Sequence, residues 1–353
     1  LLFFVHKKKC FLTFFHTHRQ AYISPMPYPI SDHFDGQLFF NPEPTIRNAT
    51  GKRFGLLSII RARLKRDPET WSQWPKHVEN RAYPKPEGPV PASNVDVTFI
   101  GHSSFLLRLA GQTILTDPVF SKRCSPVSFA GPARVRAPGL AIADLPRVDL
   151  VVLSHNHYDH CDLASLRKLR RRFPDMHIVT TLGNAGYLAS KRIQGATELD
   201  WWQSTEVDGT RITLTPARHF AARSLSDRNH TLWGGMMIEP NGGPRIYFAG
   251  DSGYTKFFKD ISERLGAPDL ALLPIGAYEP RWFMGPVHMN PQDAVQAFAD
   301  LGAKRAIGMH FGTFQLTAEA IDAPERDLEI AKQAAGLAAD AFVTLDFGET
   351  RRF

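Results

Sequence analysis

Cysteine is scarce in this chain of 353 residues, and the three present, Cys10, Cys124 and Cys161, are scattered. That excludes a small secreted scaffold held by disulfides and leads to the expectation of a reducing, cytoplasmic setting. Long apolar runs are also missing: no window reaches the ~20 residues that a bilayer-spanning helix needs. Peripheral contact with a membrane stays compatible with such a chain. No basic groove interleaved with stacking aromatics is present, which argues against a nucleic-acid partner. Internal repeats and low-complexity tracts are absent too, so solenoids and linker-like proteins are set aside.

Acid is missing from one segment. Residues 1–25 carry Lys7, Lys8, Lys9 and Arg19 and no Asp or Glu, so much of the net charge of +7 sits there. Apolar segments at 1–5 and 11–15 flank the lysines, whereas a secretory signal places its charges before one continuous apolar stretch. The expectation is that 1–25 is upstream or added sequence, with Met26 as the true beginning. The alternative is an aromatic, basic tail that touches membrane.

What is present is an ordinary globular composition, 43% hydrophobic and 22% charged, enough for a large core. Residues 26–93 are rich in Pro, Trp and Arg, with one helical stretch at 56–64, and read as an extension wrapping a catalytic domain at 94–353. Cys161 is expected to be a small apolar helix-start residue. From residue 95 on, short apolar strands are expected at 95–100, 104–109, 112–115, 177–181, 211–215, 231–238, 245–249, 270–275 and 305–309. Helices are expected at 163–172, 291–301 and 325–339, which together argue an α/β layered architecture. The basic run at 167–172 falls on a helix and reads as its solvated face.

The most informative stretch is Ser154-His155-Asn156-His157-Tyr158-Asp159-His160, directly after the apolar run 149–153. It reads as a buried strand emptying into a loop with three imidazoles and a carboxylate. Residues i and i+2 of an extended segment point the same way, so His155 and His157 can share one metal ion. Asp159 and His160 lie past the bend and can serve a neighbouring ion. This donor set suits zinc and similar divalent metals. Three further candidates stand at the ends of apolar strands, where a rigid scaffold presents them: His219, Asp251 and His310. Asp117, after another strand, is expected to accept the second N–H of a ligating imidazole and fix its orientation.

The motif order resembles the metallo-β-lactamase superfamily and, within it, the N-acylphosphatidylethanolamine-hydrolysing phospholipase D branch. The resemblance rests on the loop and on Gly101-His102-Ser103-Ser104, Thr116-Asp117-Pro118, Gly250-Asp251-Ser252-Gly253, the run 273–284 and His310-Phe311-Gly312-Thr313-Phe314. It implies an αββα four-layer sandwich and a binuclear zinc hydrolase. One zinc would sit on His155, His157 and His219 and the second on Asp159, His160 and His310. Asp251 would bridge them, with a metal-held water as nucleophile. It further implies cleavage of the phosphodiester of N-acylphosphatidylethanolamine, releasing an N-acylethanolamine and phosphatidic acid. It places His288 on the substrate phosphate and Tyr158 against substrate. An ordinary loop histidine and a packed tyrosine are the plainer readings of these two. The alternative function is zinc-dependent hydrolysis of a soluble ester or lactone, such as a sugar-phosphate lactone. Both monomer and oligomer are compatible with the sequence.

Overall fold

The structure, a computed structural model, describes residues 28–43, 71–224 and 226–353. The expected segment 1–25, the expected helix at 56–64 and Cys10 lie outside the described residues.

Fourteen short strands among the described residues form two seven-stranded sheets. The first holds β1 (Val95–Gly101), β2 (Ser104–Leu109), β3 (Gln112–Thr116), β4 (Leu150–Val152), β5 (His177–Thr181), β6 (Ala196–Leu199) and, at its edge, β14 (Thr350–Arg352). The second holds β7 (Ser204–Val207), β8 (Thr210–Thr215), β9 (Gly235–Pro240), β10 (Ile246–Phe248), β11 (Leu270–Pro274), β12 (Arg305–Met309) and β13 (Phe342–Val343). Their orders are β14-β1-β2-β3-β4-β5-β6 and β13-β12-β11-β10-β9-β8-β7. Read from β14 in the first and from β7 in the second, three antiparallel pairings are followed by three parallel ones. The two halves therefore share one topology, although the sequence shows no repeat.

Period-two alternation sorts each strand of the first sheet between two cores. Phe105, Leu107, Ile114, Leu150, Val152 and Val179 join the central core that also contains Leu214, Met236 and Phe248 of the second sheet. The alternate residues Leu106, Leu115, Val151 and Ile178 pack instead with Leu166, Leu169 and Leu188 of α1 (Leu163–Arg172) and α2 (Asn184–Ser190). Helices α3 (Phe257–Leu265), α5 (Pro291–Leu301) and α6 (Ala323–Ala334) belong to the second half, with the one-turn α4 (Arg281–Met284) before α5. This is an α/β sandwich of two mixed sheets with helices.

Local signals explain the helix ends. Asp162 caps α1 by accepting the Ala164 amide, and Arg170, Arg171 and Arg172 sit at its carbonyl end, where positive charge is favoured. Asn290 and Asp293 form a reciprocal capping box on α5, with Pro291 opening the helix.

Three expectations need correction. The strand expected at 231–238 is Gly235–Pro240, because residues 231–234 leave the ladder to brace the site. Leu232 donates to the Leu182 carbonyl and Gly234 to that of Ser154. The helix expected at 325–339 begins two residues earlier and ends at Ala334, where Gly336 adopts a positive φ of 65°. Strands β6 and β7, Ala-Thr-Glu-Leu and Ser-Thr-Glu-Val, were not expected, since neither carries an apolar alternation.

The described parts of 26–93 contain no regular helix or long strand. Phe34 and Phe39 nevertheless enter the central core. His33 stacks on Trp201 at 4.2 Å between ring centroids, with its Nε2 2.7 Å from Asp200. Asn41 donates to the backbone carbonyl of His219, a site residue.

Candidate metal centre

Strands β1, β3, β4, β8, β10 and β12 run in such directions that their C-terminal ends meet along one edge, the place where α/β sheets hold ligands. His102 follows β1, Asp117 follows β3, the loop 154–160 follows β4, and His219, Asp251 and His310 follow β8, β10 and β12. His102, Asp117 and His310 have positive φ of 58°, 31° and 66°. Residues with side chains rarely adopt this conformation, and where they do it is concentrated at functional sites. Gly250 lets the end of β10 approach the loop: a Cβ there would stand 2.6 Å from the Ser154 Cβ.

Two clusters form. His155, His157, His219 and Asp251 bring one ligand-type atom each within 4.8 Å of one another, as do His102, Asp159, His160 and His310. The Asp251 Oδ2 atom stands between them. It lies 3.9 Å from His155 Nε2 and 3.7 Å from His219 Nε2 on one side. On the other it lies 3.0 Å from His160 Nε2 and 3.3 Å from His310 Nε2. Asp159 Oδ2 is 3.5 Å from His160 Nε2 and 3.4 Å from His310 Nε2. All seven residues picked from the sequence as metal ligands thus share one edge.

Three imidazoles are anchored by their far nitrogen. His160 Nδ1 donates to Asp117 Oδ2 at 2.6 Å, and His219 Nδ1 donates to the Val287 carbonyl at 2.9 Å. Ser154 Oγ donates to Asp117 Oδ2, so it accepts from His155 Nδ1, 2.9 Å away. In each the proton is held outward and the Nε2 lone pair faces the site. His157 presents Nδ1 instead, 2.9 Å from His155 Nε2 and 3.2 Å from His219 Nε2. Nitrogen lone pairs so close repel unless a proton or cation lies among them.

The buried charges carry the same message. Desolvation would raise the carboxyls of Asp159 and Asp251, yet the surrounding imidazoles hold both well below the usual range. Burial pushes His219 down to about 4 and holds His155 and His157 well below the ordinary histidine value. His310 goes the other way, to about 9, because Asp251 and Asp159 outweigh its burial. Buried Asp251 Oδ1, His160 Nε2, His310 Nε2 and His288 Nδ1 have no hydrogen-bond partner. Orphaned donor atoms of imidazole and carboxylate, with no thiolate among them, fit divalent metal ions.

His288 is buried beside this group, with its Nδ1 4.0 Å from Asp251 Oδ2. Tyr158 turns away: its hydroxyl donates to the Arg223 carbonyl at 3.0 Å, and its ring packs beside Val119, Cys124 and Phe314. Buried Arg223 carries its guanidinium 3.9 Å above that ring. Its Nη1 donates to the carbonyls of Asn156 and Cys161, clamping the loop from behind. Sequence reasoning assigned no role to Arg223, Ser154 or His102. The last left a signal, a histidine at a strand end beside a glycine.

The family model for the beta-lactamase superfamily domain matches residues 112–311, more than half of the chain. The chain belongs to the metallo-β-lactamase superfamily. Its relatives within it include the N-acyl-phosphatidylethanolamine-hydrolyzing phospholipase D 1 of Caenorhabditis elegans, 40% identical over 73% of this chain and 75% of that protein. The mitochondrial N-acyl-phosphatidylethanolamine-hydrolyzing phospholipase D of Saccharomyces cerevisiae is 36% identical over 72% of this chain and 55% of that one. Among solved structures, a metallo hydrolase of the archaeon Ignicoccus hospitalis superposes with a TM-score of 0.55 at 26% identity, covering 74% of this chain and 99% of that one. As a member of this metallo-β-lactamase superfamily, the protein is a metal-dependent hydrolase. Among the described residues, no helix is long and apolar enough to cross a membrane.

Proposed function

We propose that the protein is a two-zinc phosphodiesterase of phospholipase D type, acting on N-acylphosphatidylethanolamine to release an N-acylethanolamine and phosphatidic acid. The observation that carries the reading is the position of Asp251 Oδ2, within 4 Å of two imidazoles of each cluster. In this reading His155, His157 and His219 hold one ion, Asp159, His160 and His310 hold the other, and Asp251 is shared. Two such cations supply Lewis acidity and offset the charge that builds on an already anionic phosphodiester.

The chain's own residues do the rest. Asp117, Ser154 and the Val287 carbonyl keep the imidazoles in the tautomer that offers a lone pair to the site. His288, on the wall with a free Nδ1, is placed to meet a phosphoryl oxygen. Its amide donates to the Met284 carbonyl, which ties it to Trp282, Phe283 and Met284 of α4. Trp282 is 52% exposed and would offer acyl chains an apolar approach. The names of the two phospholipase D relatives support a phospholipid substrate.

The test is a product assay. Zinc-loaded protein is incubated with N-acylphosphatidylethanolamine, generic phosphodiesters and a panel of lactones. Release of N-acylethanolamine together with phosphatidic acid supports the reading. Lactone opening without attack on the lipid would assign the site to a soluble ester instead.

A further inference from the structure

The second cluster contains a fourth group that the proposed ligand set does not use. His102 is wholly buried in the turn between β1 and β2, with its Nε2 2.9 Å from Asp159 Oδ2. A carboxylate only accepts, so this nitrogen carries the proton and donates. The same residue's carbonyl accepts the His310 amide at 2.8 Å, and the two rings stand 4.0 Å apart. One residue therefore addresses both Asp159 and His310. Its own turn is held in the left-handed region, φ 58°. No hydrogen bond among the described residues links His102 to His155, His157 or His219.

We propose that His102 is a positioning residue for one metal only: it fixes the Asp159 carboxylate and the His310 backbone, and so sets the affinity of the second ion while leaving the first alone. This rests on the two-ion reading above. Its Nε2 proton is already donated to Asp159, so His102 acts through that carboxylate rather than as a ligand itself. Partners of this kind typically change metal affinity by about 10–100-fold when removed.

Two substitutions separate reach from mere polarity. His102→Gln keeps an amide donor long enough to approach Asp159. His102→Asn keeps the amide and tolerates the left-handed backbone, but is too short. Zinc is titrated into the metal-free protein against a chelating dye, and thermal unfolding of the metal-free form is followed in parallel. Wild type should take up two ions. In His102→Asn the weaker step should fall by about 10–100-fold with the first unchanged, and His102→Gln should recover most of that loss. Turnover should follow occupancy of the second site.

The inference is overturned if both variants bind two ions as wild type does, if both steps weaken together, or if Gln rescues nothing. A metal-free Gln variant that fails to fold would also overturn it, by assigning His102 to the fold. A wild-type stoichiometry of one ion would remove the two-ion reading itself, and this inference with it.

Discussion

Asp117 Oδ2 lies 2.6 Å from His160 Nδ1, and neither side chain is exposed to solvent. The same carboxylate accepts the Ser154 amide on Oδ1 and the Ser154 hydroxyl on Oδ2. One buried acid thus orients an imidazole at the site and pins the first residue of the loop.

Asp117→Ala should be among the most destabilising single changes at this edge. It strands three donors, and each buried unsatisfied group costs about 1–3 kcal/mol. A loss of roughly 3 kcal/mol or more is expected, read as a drop in the thermal midpoint of the metal-free protein. Asp117→Asn, which cannot serve all three donors, should lie between. A midpoint unchanged in both variants would contradict the pinning role.

Tyr158 packs against the loop clamp, and its two variants test packing against contact with substrate. Tyr158→Phe removes one hydrogen bond but keeps the ring under Arg223. It should cost about 1 kcal/mol of stability and leave kcat/KM within roughly twofold. Tyr158→Leu removes the cation–π contact as well and should cost about 1 kcal/mol more. A large loss of turnover in the Phe variant at unchanged stability would place the hydroxyl on substrate instead.

His288→Ala should keep both ions and lose turnover. The proposed ligands do not include it, yet its Nδ1 lies 4.0 Å from Asp251 Oδ2. Zinc content measured alongside kcat separates the two effects. Loss of one ion in this variant would make His288 a ligand.

His33 gives the fold a pH dependence away from the centre. Burial alone would lower its pKa from 6.5, but hydrogen bonds to Asp200 and Asp32 outweigh burial and raise it. A raised folded value means that the protonated form is stabilised by folding. The contribution is complete below the unfolded value of 6.5 and fades as pH rises through the folded value. The stability gap between wild type and His33→Asn should therefore narrow from about pH 5.5 to pH 8.5. A gap that widens with pH would show that His33 is buried neutral.

Legibility followed physical strength. Strands β2, β5 and β12 and helices α1 and α5 carry dense apolar patterning or strong caps, and their limits match the expected ones. Edge strands such as β6 and β7 are polar and are fixed by their neighbours, so no local pattern announces them. At the centre, ligand-type residues stood out because charged and imidazole groups stand just past the ends of apolar strands. Of the residues that orient them, Asp117 stood out at its strand end and holds His160 as expected, but the others did not. Ser154, Arg223 and the Val287 carbonyl act through backbone and hydroxyl contacts that any sequence could disguise. Paired sheets with one topology were also invisible, since shared topology needs no shared residues.

Zinc stoichiometry of wild type and Asp251→Asn tests the central claim most directly. Asp251 Oδ2 faces both clusters, and an amide brings no charge to share between two dications. Elemental analysis after exhaustive dialysis should find about two zinc ions per wild-type chain, with both weakened in the variant. A single ion in wild type, or a variant that keeps two ions and full turnover, would contradict the account.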